Sequence, residues 1–250
     1  MMHIKGLILC EGASDQILIS AYLGKEKGWE YIKSNFSRSF PFVDRNLAWY
    51  KNHQEEYLGI WQVGGNIFEP VIRKIMELEA KEHTVDSLAI VTDHDDVEAE
   101  KDRPKNIINV INENLHIIDF DENELVSKSN NKWARIEYKD SFLQSQYMDF
   151  CYLLVPIESQ GALETYMLNA LSEDSVAKKE AIQQVKKFIK EFKSDEFLTK
   201  RREKVKAELS VSISVFIPDR MFDTMTEIIK DVDWTDFKST DTQFGKLLDI

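Results

Sequence analysis

The stretch IVTDHDDV at residues 90–97 constrains this chain more than any other. An apolar run stops in three aspartates within four positions, Asp93, Asp95 and Asp96. Like charges raise one another's pKa, and leaving water costs each of them free energy. Such a cluster at the mouth of a buried strand makes physical sense where something positive sits among the carboxylates. Carboxylate oxygens are hard ligands suited to Mg²⁺ or Mn²⁺. On an extended segment, positions i and i+2 face the same way, so Asp93 and Asp95 can address one ion while His94 between them points aside. A plainer reading gives Asp95 and Asp96 to the cap of the following helix.

The rest of the pattern places that strand in a fold. Residues 5–10 (KGLILC) read as a buried first strand, Glu11-Gly12 as a turn, and residues 14–23 as a helix. Residues 29–57 read as a strand plus an irregular excursion. A second strand is expected at 58–63, then a Gly64-Gly65-Asn66 turn whose Asn66 can cap a helix from 67 to about 81. Residues 87–92 form a third strand ending in the aspartates. A helix after Pro104 is expected at 104–115, a small hairpin or flap within 116–150, and a fourth strand at 152–156. Helices follow at 161–171, 178–192 and 197–209. The alternation in LSVSISVF predicts a half-buried strand at 209–216. Strands alternating with helices argue for an α/β fold with a mainly parallel sheet flanked by helices. In such sheets, sites form beyond the carboxyl ends of strands. If the first and third strands are neighbours, Glu11 joins Asp93, Asp95 and Asp96 in one crevice. There Glu11 serves as a further metal ligand or as a general acid or base, and Gly12 lets the backbone turn towards a phosphate.

Length and charge narrow the function. A 250-residue chain with 43% hydrophobic residues can bury a sizeable core. No apolar run approaches the roughly 20 residues that span a bilayer, so no membrane role is expected. Two cysteines, both in apolar runs, are too few for a disulfide framework and point to the reducing cytoplasm. A net charge of −12 argues against a general nucleic-acid coat protein. Any contact with DNA or RNA must use a local basic patch or a metal. Lys186, Lys187, Lys190 and Lys193 on one helix, and Lys200, Arg201, Arg202, Lys204 and Lys206 on the next, could supply that patch. The plainer reading is a solvated face offset by Glu180, Glu191 and Glu203. A phosphate-cradling Walker loop, a GxSxG elbow and zinc-ligand spacing are all absent from the sequence.

The pair LILCEGASDQILI and LAIVTDHDD resembles the Toprim fold of topoisomerases, bacterial primases, OLD-type nucleases and small RNA-maturation nucleases. That resemblance covers about residues 1–170 and rests on two short motifs. It implies Mg²⁺ or Mn²⁺ held by Glu11, Asp93 and Asp95, with Gly12 as the accompanying turn, and phosphodiester cleavage on DNA or RNA; the adjacent Asp96 is a further acid for the metal. The later stretch VPIESQGALETYML, and an ending with a Lys/Arg-rich helix, a Ser-rich strand, IPDR and a DW…F segment, resemble a Toprim-related family of unknown function, DUF3226. The resemblance to that family implies that Glu164 points towards the acidic centre. The sequence departs from the Toprim pattern DxDxxG at one point: Asp95 is followed by DVEAE, with no glycine. Residues 171–250 are expected to form a helix and strand extension packed on the Toprim-like domain. OLD-type proteins often carry an ATPase, and this chain has none, which leaves room for a separate ATPase or other partner chain, and for a homo-oligomer. Two other functions fit parts of the pattern. One is a non-catalytic Toprim-like binding module working with a partner chain. The other is a haloacid-dehalogenase-like phosphatase, whose DxDx[TV] motif matches DHDDV but leaves Glu11-Gly12 unexplained.

Overall fold

A computed structural model describes residues 4–32, 41–65, 67–81, 84–95, 97–120, 132–192, 197–220 and 223–250. Within these residues the strands are β1 (Ile4–Cys10), β2 (Glu30–Tyr31), β3 (Leu47–Lys51), β4 (Tyr57–Gln62), β5 (Val85–Asp93), β6 (His116–Asp119), β7 (Trp133–Lys139) and β8 (Ser145–Val155). The α-helices are α1 (Ala13–Lys27), α2 (Glu69–Glu79), α3 (Val97–Asn114), α4 (Leu163–Leu171), α5 (Val176–Glu191), α6 (Arg201–Phe216), α7 (Met225–Asp231) and α8 (Lys238–Phe244). One eight-stranded sheet runs in the order β2-β3-β4-β1-β5-β8-β7-β6. The four central strands, β4, β1, β5 and β8, are parallel. The strands on both edges are antiparallel, so the sheet is mixed rather than mainly parallel.

Helices cover both faces of the centre, which is why β1, β5 and β8 read as continuous apolar runs. Successive side chains alternate between two cores. Ile8, Cys10, Ala89, Val91, Cys151 and Leu153 face α1, α4 and the C-terminal helices, while Leu7, Leu9, Leu88, Ile90, Phe150 and Tyr152 face α2 and α3. The segment after α7 docks on the first of these cores. Trp234 is buried and donates its indole N–H to Ile229 O at 2.7 Å. The Gln243 amide joins this segment to β8: it donates to Leu154 O and accepts from Ile157 N. Ile250 packs against Gly6 so closely that a Cβ there would stand 2.4 Å from its side chain.

Two further expectations are overturned. Residues 209–216 are helical, the second half of α6, and not a strand. Over so short a run, alternation and helical spacing coincide: Leu209 and Ile213 are four apart and both odd-numbered. With Ser212 they form the buried stripe. The serine hydroxyls that suggested a wet strand face donate within the helix, Ser212 to Glu208 O and Ser214 to Ser210 O. Likewise α3 begins at Val97 and carries Pro104 in its interior instead of starting there. A buried apolar face at Ile107, Ile108 and Ile111 packs this helix on the sheet and outweighs the missing N–H. The expected helix cap at Asn66 falls outside the described residues.

Candidate active site

β1 and β5 are parallel neighbours with Cys10 opposite Val91, so Glu11 emerges beside Thr92 and Asp93. One carboxylate oxygen of Glu11 accepts two bonds, from the Thr92 hydroxyl at 2.6 Å and from the Asp93 N–H at 3.0 Å. Arg103, buried on α3, donates to the same Thr92 hydroxyl and stands 3.8 Å from Glu11 Oε1. The turn after β4 closes over this corner. Gly64 and Gly65 both donate their N–H to Glu11 O, at φ of 83° and 101°, where glycine alone is unstrained.

Asp93 is only 3% exposed. Its Oδ1 accepts the N–H of Leu163, the first residue of α4, at 3.1 Å. Its Oδ2 is 3.0 Å from Nη2 of Arg202 on α6. The other cations of that helix lean the same way: Arg201 donates to Asp95 O at 3.2 Å, and Lys206 Nζ is 3.7 Å from Glu164 Oε1. The second oxygen of Glu164 is buried and has no hydrogen-bond partner. By contrast Glu79, a fully buried acid far from this edge, is satisfied by Thr84 and Tyr138.

The electrostatics follow from this crowding. Burial pushes Asp93 up to about 8; Glu11, Asp15 and Asp95 add to the rise, and Arg202 opposes it. Burial also carries Asp15 up to about 7, aided by Glu11 and then Glu164, against the Gly12 N–H that holds it. The acids Glu11, Asp15, Asp93, Asp95 and Glu164 share the crevice with Arg103, Arg201, Arg202 and Lys206, and burial leads the rise at both Asp93 and Asp15. Carboxylates suit a hard divalent ion, and the orphan oxygen of Glu164 has a lone pair to offer a cation. The arrangement is not a closed cage: among the described residues, no group of three or more Asp, Glu, His or Cys side chains is gathered tightly enough to hold an ion. Arg202 is the cation placed on Asp93.

Glu11 and Asp93 are therefore joined through the Asp93 N–H, with Asp95 and Glu164 nearby. Asp96 lies outside the described residues. Gly12 lies in the bend between β1 and α1 as the residue before the first helical turn; its backbone is extended (φ −143°, ψ 176°) and its N–H goes to Asp15 Oδ2 at 2.9 Å. His94 turns aside, with Nδ1 3.0 Å from Pro156 O. Lys186, Lys187 and Lys190 sit on α5, while Arg201 and Arg202 reach the acids from α6. Lys193 falls outside the described residues. The sequence reading missed Asp15, Thr92 and Arg103 as site residues. Asp15 had a signal, an acid four residues after Glu11 at the start of a helix. Arg103 had none, since only the packing of α3 brings it under the strand ends. A cavity of about 200 Å³ adjoins the crevice, lined by Asp95, Gly161, Ala162, Thr165, Arg201, Arg202 and Val205. A larger one, about 460 Å³, lies between the loop after β8, α4 and α8, away from the carboxylates.

The stretch from β1 to α8 coincides with a known family: residues 5–240 match "Protein of unknown function (DUF3226)". The chain belongs to the DUF3226 family. No curated protein matches it. Among solved structures, it is similar to a hypothetical protein, PH0156, from Pyrococcus horikoshii OT3, at 11% identity over 98% of this chain and 100% of that one, with a TM-score of 0.47. It is also similar to an integron cassette protein from the mobile metagenome of V. cholerae, at 12% identity over 60% of this chain and 95% of that one, with a TM-score of 0.19. Among the described residues of this DUF3226 protein, no helix is long and apolar enough to cross a membrane.

Proposed function

We propose that the crevice is a Mg²⁺- or Mn²⁺-dependent phosphodiester-cleaving site acting on DNA or RNA, in a Toprim-like arrangement. One observation carries this reading: two buried acids, Glu11 and Asp93, emerge at the ends of adjacent parallel strands, with the Glu11 carboxylate on the Asp93 N–H and the Asp93 carboxyl pushed up by burial and by Glu11. Glu11 and Asp93 would anchor the ion, and Asp95 and Glu164, which are not gathered with them in the described structure, would have to close on it. Once bound, the ion would supply charge stabilisation at the phosphoryl oxygens and orientation of the attacking water. The chain's own groups prepare the acids for that task. Thr92 and the Asp93 N–H hold Glu11, and the α4 N–H of Leu163 holds Asp93, so each carboxylate is oriented before anything binds. Arg103 supports Glu11 through Thr92.

The test is a cleavage assay on plasmid DNA and total RNA with Mn²⁺, Mg²⁺ or EDTA, with Asp93→Asn alongside. Metal-dependent cutting that the variant loses supports the reading. Folded protein that binds Mn²⁺ without cutting either polymer would replace it with the second reading, a binding module or an enzyme awaiting a partner chain. The ion pair of Arg202 with Asp93 favours that second reading, because it leaves the site closed in the isolated chain.

A further inference from the structure

Arg202 has a position that metal binding at Asp93 would contest. It comes from α6, and its guanidinium lies 3.0 Å from an oxygen of the buried Asp93 while 48% of its side chain remains exposed. A divalent ion and this guanidinium both seek Asp93 Oδ2, and like charges so close exclude one another. The displaced group has somewhere to go. The cavity of about 200 Å³ beside the crevice is lined by Arg202 itself, by Arg201 and Val205, by Gly161, Ala162 and Thr165 before and within the first turn of α4, and by Asp95, whose charge the ion would take up. Arg201 is already tethered there through Asp95 O. Two adjacent arginines on one cavity wall match a phosphate group, whose oxygens take the planar fork of guanidinium in pairs.

We propose that Arg202 is an exchangeable counter-cation. It closes Asp93 in the metal-free protein and, when a divalent ion takes Asp93, turns into the adjoining cavity. There, with Arg201, it binds a backbone phosphate of the nucleic-acid strand. This rests on the metal reading of the preceding section and adds to it a latch and a phosphate subsite. The α6 basic residues then act in two places in turn. That order couples the two ligands, since metal binding frees the arginine that the phosphate needs, and phosphate binding removes the metal's competitor.

The experiment is calorimetric titration of Mn²⁺, then binding of a fluorescent single-stranded 12-nucleotide DNA, with the full chain and its Arg202→Gln and Arg202→Lys variants. Circular dichroism first establishes that each variant folds. Arg202→Gln is expected to bind Mn²⁺ about 5–10-fold more tightly than the native chain, and the oligonucleotide in Mn²⁺ about 5–10-fold more weakly. Arg202→Lys keeps the charge without the fork, so it is expected to keep near-native Mn²⁺ affinity and lose part of the oligonucleotide binding. Mn²⁺ binding in the Gln variant alone would also support the latch. Equal Mn²⁺ affinity in the native chain and the Gln variant overturns the exchange while leaving the metal site standing. Tighter Mn²⁺ binding with unchanged oligonucleotide affinity overturns the phosphate subsite. No Mn²⁺ binding by any of the three overturns the metal reading and the exchange with it.

Discussion

Replacing Asp93 with asparagine should stabilise this protein in the absence of metal, and increasingly so as pH rises. The folded protein holds the Asp93 carboxyl at about 8 against a usual 3.8, first through burial and then through Glu11 and Asp15. An acid raised by folding contributes stability that is complete below its unfolded value and is lost as pH climbs through its folded value. The window here runs from about pH 4 to about pH 8. The interval from 3.8 to 8 sets a ceiling of about 6 kcal/mol. Asp15 lies in the same field and rises to about 7, so protons are shared and the penalty is spread over the group. We expect about 2–3 kcal/mol to be assignable to Asp93 at pH 8. Asparagine keeps an oxygen for the Leu163 N–H and cannot ionise. Thermal unfolding in EDTA, at half-unit steps from pH 5 to pH 8.5, reads the effect as the difference between variant and native chain. That difference should grow to about 5–10 °C in favour of Asp93→Asn at pH 8. Saturating Mn²⁺ should reverse the order, because only the native carboxylate gains from the ion. A difference that is flat with pH, or a variant less stable at pH 8, would refute the claim that burial and the neighbouring acids hold the Asp93 carboxyl up.

Other perturbations probe the supporting structure. Thr92→Val removes one donor from Glu11 and the acceptor for Arg103, and should cost about 1–2 kcal/mol in urea unfolding together with a loss of Mn²⁺ affinity. Gln243→Leu strands the Ile157 N–H and the Leu154 carbonyl, and should cost about 2–4 kcal/mol, read from the urea midpoint. Ser210→Pro, on the exposed side of α6, should cost about 3 kcal/mol or more by the same assay, and a near-native midpoint would argue that 209–216 is not helical after all. Arg135→Ala breaks an exposed ion pair with Asp149 on the sheet face and should shift stability by less than about 1 kcal/mol.

The local sequence by itself determined the central strands and the acids at their ends. Residues 5–10 and 87–92 read as buried strands because they are short, rich in Leu, Ile and Val, and end in turn or acidic residues. Glu11 and Asp93 follow from where those runs stop. Short-range pattern also placed the helices α1, α4 and α5. It failed where two periods coincide, in LSVSISVF, where a spacing of four is shared by a strand face and a helix stripe and only packing against the core decides. It failed again at Pro104, where the burial of Ile107, Ile108 and Ile111 overrides a local breaker. Only the tertiary structure decided which charges meet. Arg202 is about a hundred residues from Asp93 along the chain, and no periodicity links them. Arg103 reaches Thr92 only because α3 folds back under the strand ends. From the sequence the basic residues of α6 read as a solvated face or a nucleic-acid track, and only the fold shows that Arg201, Arg202 and Lys206 lie beside the acidic crevice. Apolar pattern is read locally because burial acts on each segment's own faces, whereas charge pairing depends on distance in space, which is known only once the chain has folded.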